Sequence, residues 1–160
     1  MRLDHPESLT VNDRHRALFE LRETLEVKSA ELAADLRSDD EMQAIEEAFD
    51  EMVRTMDWGK SGVEYDIAFH RAVAAGSGNV FILETVTFIA EHLRESIELT
   101  RTNSTEANVN QVTIAEHRAI LEAIRARDKA AARQAMTRHL TNAANRIGIS
   151  LARTGERASK

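Results

Sequence analysis

Apolar residues return along this chain at helical rather than alternating spacing. From Asp13 onward, Leu18, Leu21, Leu25, Leu32 and Leu36 recur with charges between them, which predicts a long first helix. Ser38-Asp39-Asp40 interrupts the pattern and offers an N-cap to a second helix, whose apolar face is Met42, Ile45, Phe49, Met52, Val53 and Met56. Trp58 to Gly62 reads as a turn. A third helix carries Val63, Asp66, Ile67, His70, Val73 and Ala74 on one stripe and ends at Gly76-Ser77-Gly78, leaving Asn79 to cap the fourth. The fourth helix has two apolar stripes. Ile82, Val86, Ile89, Leu93 and Ile97 form one, and Phe81, Phe88 and Leu99 belong to the other. A helix apolar on two sides needs two partners, here the core and a second subunit. After a polar connection, 101–110, a fifth helix shows Ile114, His117, Ile120, Leu121 and Ile124. Asp128 then caps a sixth, with Ala132, Ala135, Met136, His139, Leu140, Ala143 and Ile147.

The pattern predicts an all-α protein, an antiparallel bundle of about six helices joined by short loops. One domain is expected over 13–153, between a flexible polar lead-in, 1–12, and a polar tail, 154–160. Composition agrees. The 160 residues are 42% apolar, enough for one core, and only 4% aromatic with a single proline. The absence of cysteine excludes a disulfide framework, thiolate zinc sites and cysteine nucleophiles. No apolar run approaches the roughly 20 residues of a membrane span. No apolar segment follows Arg2 as a signal peptide requires, so a cytoplasmic location is expected. With 27 acidic against 21 basic residues the net charge is −6, unsuited to coating nucleic acid unaided.

Four polar residues interrupt the apolar stripes. Asp66 and His70 stand four apart and share a face of helix three, while His117 and His139 sit among apolar residues of helices five and six. Burying a carboxylate and three imidazoles is costly unless they are paired. Either they hydrogen-bond to one another, or they hold a divalent metal such as zinc, nickel or manganese, to which imidazole nitrogen and carboxylate oxygen are suited. A dication with one carboxylate keeps a net positive charge, which favours a small carboxylate at its open positions.

The order of motifs also resembles a known family. Asp66-Ile67-Ala68-Phe69-His70 followed by Ala75-Gly76-Ser77-Gly78-Asn79 resembles the D-x-x-F-H…a-s-G-N signature of the FadR C-terminal (FCD) domain, the effector-binding domain of one branch of GntR-type bacterial transcription regulators. Leu18-Phe19-Glu20-Leu21-Arg22 with Leu25-Glu26, then Ala33-Ala34, Glu116-His117 with Ala123-Ile124, and Asp128…Met136…His139-Leu140 are similar to further family segments in the family's order. The resemblance implies a helical bundle in which Asp66, His70, His117 and His139 hold a divalent ion at the floor of a cavity that binds a small organic acid. It also implies a homodimer. The residues before Leu18 show no helix-turn-helix pattern, so DNA contact is expected only through a winged-helix domain not found in this chain.

Two further residues are candidates for ligand binding. Arg22, on the inward side of helix one, is placed either to clamp an effector carboxylate or to bridge to Glu26 or Asp66. Asn79 orients a ligand, caps its helix, or does both. His5 and His15 read as solvated, and so do His92 and Arg94. The rival readings are a metal-dependent hydrolase and a metal-free dimerisation module. Against the hydrolase, no carboxylate or histidine beyond the four is placed as a general base, so a non-enzymatic role is expected.

Overall fold

The computed structural model describes residues 10–55, 60–100 and 106–151. Six helices account for nearly all of them: α1 (Val11–Leu36), α2 (Asp39–Thr55), α3 (Lys60–Ala75), α4 (Val80–Thr100), α5 (Glu106–Arg125) and α6 (Lys129–Arg146). Most of the expected lead-in (1–9), Met56, Trp58 and Gly59 of the expected turn, segment 101–105 and the expected tail lie outside the described residues, as do the side chains of Ile97 and Leu99.

The helix starts follow from capping chemistry. Thr10 and Asp13 form a reciprocal capping box that opens α1 at Val11, one half-turn before the expected start. The Ser38 backbone N–H donates to Glu41 at 2.7 Å, and the Glu41 N–H donates back to Ser38 Oγ at 3.1 Å, which starts α2. Asn79 Oδ1 accepts from the N–H groups of Phe81 and Ile82 to start α4. Asp128 Oδ1 accepts from Ala131 to start α6. Gly78 takes a left-handed φ of 67° at the end of α3, where a side chain would be strained. The expected turn ends sooner than predicted, because Lys60 already belongs to α3.

α1 packs against α3, α4, α5 and α6, and α3 against α2 and α4 as well. Where consecutive helices touch across a short connection, as α3–α4 and α5–α6 do, they run antiparallel. α1 and α2 are the exception. They do not pack on each other, and α2 turns away at Arg37 to lie on α3 and α5. The main core joins Ile45, Phe49 and Met52 of α2 to Phe69 and Val73 of α3 and to Ile120, Ile124, Met136 and Leu140. A smaller cluster gathers Phe19, Leu93, Ala144 and Ile149.

Two expectations about α1 are corrected. Its leucine stripe is not its buried stripe: Leu21 is 44% and Leu36 59% exposed, while Arg22, Glu26, Ser29, Ala30, Ala33 and Ala34 are buried. The inward face is built of small and ionisable residues because it meets the polar site described below. His15 is buried as well, not solvated, since it stands one turn before Phe19 on that same face. On α4 the two-stripe reading holds. Val86, Ile89 and Leu93 are buried, whereas Phe81 and Phe88 are 74% and 65% exposed.

Candidate metal centre

α3 projects Asp66 and His70 from one face, a turn apart, and α5 and α6 bring His117 and His139 to meet them. One ligand atom from each of the four lies within 4.8 Å of all the others. His117 Nε2 is 3.1 Å from Asp66 Oδ1, His70 Nε2 is 3.9 Å from that same oxygen, and His70 Nε2 is 3.2 Å from His139 Nε2. Ligands about 2.0–2.2 Å from an ion sit at most about 4.4 Å apart, so the four need to close only slightly around one. Phe69 fixes the rings. It is fully buried and stands edge-on to both His70 and His117, with centroids 5.9 and 5.0 Å away.

The other ring nitrogens decide the protonation pattern. His117 Nδ1 is 2.8 Å from the Thr113 carbonyl, His139 Nδ1 is 3.0 Å from Glu116 Oε2, and His70 Nδ1 is 2.5 Å from Glu26 Oε2. The Thr113 carbonyl and the Glu116 carboxylate are acceptors, so Nδ1 of His117 and of His139 carries the hydrogen, whereas His70 Nδ1 lies close to Glu26 without a hydrogen bond's alignment. The Nε2 atoms of His117 and His139 are then bare lone pairs, turned with His70 Nε2 toward one another and toward the Asp66 carboxylate. His117 Nε2 is sealed from solvent and has no hydrogen-bond partner, since Asp66 is near it without a hydrogen bond's alignment. Convergent lone pairs repel unless a cation lies among them. By donor chemistry and by this orphaned nitrogen, the residues fit a divalent metal.

Carboxylates complete the arrangement. Glu26 is gripped by Arg22, whose Nε and Nη2 donate at 2.7 and 3.4 Å. Glu116 accepts from Asn142 at 2.7 Å and from Arg146 at 3.2 and 3.1 Å. Burial alone raises the pKa of Glu26, but Arg22 and His70 outweigh it and hold the group at about 2. Burial of Glu116 is likewise outweighed by hydrogen bonds from His139, Arg146 and Asn142, which hold it at about 2. Burial, with His117 beside it, pushes His139 down to about 3 despite Glu116. The site therefore holds a carboxylate and a neutral imidazole, the forms that ligate metals.

Asp66, His70, His117, His139 and Arg22 come together as the sequence led one to expect. Asn79 does not join them: it is exposed at the start of α4 as that helix's cap. Two further carboxylates, Glu26 and Glu116, stand near the four, where the sequence pointed to none placed as a general base. Both, however, lie behind the histidines and are bound to them. A cavity of about 220 Å³, counting the part open to solvent, adjoins the site and has Arg22, Glu26, Asp66 and His70 as its polar wall.

Comparison with known proteins places the fold and site in a family. Residues 17–142 match the FCD domain family. The chain belongs to that family, the effector-binding domains of GntR-type transcription regulators. It is 33% identical over 130 residues to the HTH-type transcriptional regulator LutR of Bacillus subtilis, covering 79% of this chain and 59% of that protein. It is 29% identical over 131 residues to the galactonate operon transcriptional repressor of Escherichia coli, covering 82% of this chain and 56% of that one. A solved structure of Streptococcus agalactiae GntR superposes with a TM-score of 0.73 at 27% identity, over 88% of this chain and 63% of that one. The chain thus spans less than two thirds of the length of these relatives, two of which are named as regulators of transcription.

Proposed function

We propose that this domain is the metal-dependent sensor of a cytoplasmic transcription regulator of the GntR/FadR type. Asp66, His70, His117 and His139 hold a divalent transition metal, with zinc, nickel or manganese the leading candidates, and a small carboxylate effector binds beside it. One observation carries the reading. Four ligand atoms of Asp66, His70, His117 and His139 converge within 4.8 Å of one another, and His117 and His139 turn bare Nε2 atoms inward because their Nδ1 hydrogens go to Thr113 and Glu116. When bound, the ion supplies a fixed positive charge with open coordination positions. The chain's own residues do the rest. Glu26, Thr113 and Glu116 orient the rings, and Glu26 occupies Arg22 Nε and Nη2, leaving Nη1 to pair with an incoming carboxylate.

The regulator acts as a homodimer on this reading, with the exposed Phe81 and Phe88 of α4 and Leu21 of α1 as the contact surface. DNA is engaged through a winged-helix domain joined to this one. An effector shifts the arrangement of two subunits only as far as it binds one arrangement more tightly than the other.

The test is the metal content of the purified protein beside a His117→Ala variant. The expected result is about one metal per chain in the parent, lost in the variant. A parent that holds no metal after incubation with zinc, nickel or manganese refutes the reading.

A further inference from the structure

The cavity beside the metal centre has two unlike walls. Its polar wall is already committed. Glu26 takes two of the Arg22 nitrogens and faces His70 Nδ1, and Asp66 and His70 turn toward the other ligands. Arg22 Nη1 and the metal position remain for a guest, and together they satisfy a single carboxylate. The opposite wall is Ile67 of α3 with Val86, Ile89, Ala90 and Leu93 of α4. None of these side chains offers a donor or an acceptor. The backbone groups of α4 behind them are spent on the helix itself.

A guest held by its carboxylate must lay the rest of itself against that wall. A methyl or ethyl group gains by leaving water there. A hydroxyl or a second carboxylate loses its hydration and finds no partner. The enclosed part of the cavity is small, too small for a long acyl chain.

Resting on the reading above, we infer that the acid sensed here is a short monocarboxylate with an apolar tail, selected by the aliphatic wall of α4, and not a sugar acid or a dicarboxylate. This sets the chain apart from its relative named for a galactonate operon. Ala90 is the specificity-determining position. It is the smallest side chain on the wall, and Val86 and Leu93 flank it a turn to either side on the same face. The hollow it leaves receives the tail.

The experiment is calorimetric titration of zinc-loaded protein, its zinc content measured first. One ligand set is acetate, propionate and butyrate; the other is gluconate, galactonate and succinate. The best short acid is expected to bind about 100-fold more tightly than any of the second set. Ala90→Leu is expected to weaken butyrate binding at least about tenfold, with zinc content and helical circular dichroism unchanged. Val86→Ala, which enlarges the hollow, is expected to move the preference toward longer tails. Gluconate, galactonate or succinate binding as tightly as the short acids overturns the inference. So does butyrate affinity indifferent to both substitutions, and so does zinc-loaded protein that binds no acid from either set. A protein that holds no metal refutes the preceding reading first. Titration of that metal-free protein then decides the inference by itself: butyrate binding that Ala90→Leu removes sustains it, and no binding overturns it.

Discussion

Glu26 and Glu116 carry much of the site's electrostatics although neither faces its centre. Each sits behind a histidine, and each is anchored by an arginine. The ionised state of Glu116 keeps Nδ1 protonated and Nε2 bare on His139, and that of Glu26 sets a negative charge beside His70 Nδ1. A pH dependence follows for the metal-free protein. His139 binds its proton at about 3 when folded against an ordinary 6.5, so between these values the unfolded chain holds more protons. Glu26 and Glu116, at about 2 against an ordinary 4.5, act in the same direction lower down. Stability is therefore full above about 6.5 and falls as the pH drops toward 3 and below. Urea unfolding of metal-free protein from about pH 7 to about pH 4 is expected to give a steadily falling midpoint; a flat profile would mean that these groups are not buried and paired as described. The four candidate ligands were legible in the sequence because each interrupts an apolar stripe. Glu26 was legible only as a bridging partner of Arg22, and the service of Glu26 and Glu116 behind the rings was not, since a carboxylate on a helix usually faces water and only the arrival of another helix shows otherwise. Glu116 even stands next to His117 in sequence while serving His139 on α6.

Among the helices, α1 and α6 show what local chemistry decides and what it does not. The caps at Ser38, Asn79 and Asp128 could be read directly, because a short oxygen-bearing side chain before an apolar run satisfies the free N–H groups of a helix start. Asp128→Ala is expected to cost about 1 kcal/mol, seen as a fall of roughly 3 °C in the thermal midpoint; no change would mean that water replaces the cap without loss. The inward face of α1 could not be read from its leucines. Its buried face is chosen by what it meets, an ionic site, and periodicity reports only where apolar residues fall. Ala30, Ala33 and Ala34 are fully buried there, their small size letting the helix approach its neighbours closely.

Taken as one body, the bundle is organised around α1 and bounded by α4. α4 presents Val86, Ile89 and Leu93 to the cavity and Phe81 and Phe88 to the outside, so one rigid rod touches both effector and subunit partner on our reading. Sedimentation of the parent protein is expected to show a dimer. Phe88→Glu is expected to yield a monomer that keeps its metal, since the residue is far more exposed than any ligand. A monomeric parent, or a variant that stays dimeric, would move the contact to another face. The all-α architecture was legible from periodicity, but the way α2 swings away from α1 was not, because a short connection by itself implies a hairpin.

The ionic underside of α1 also bears on how the molecule assembles. General collapse gathers apolar surface, and it gives little reward for settling Arg22, Glu26 and Ser29 into the interior. Glu26 finds its full set of contacts only once α3 has delivered His70. The longest helix is thus seated by recognition of specific partners as well as by the apolar burial of Phe19, Ala30, Ala33 and Ala34. The same step that seats it finishes the chamber, so folding and readiness to sense become one event.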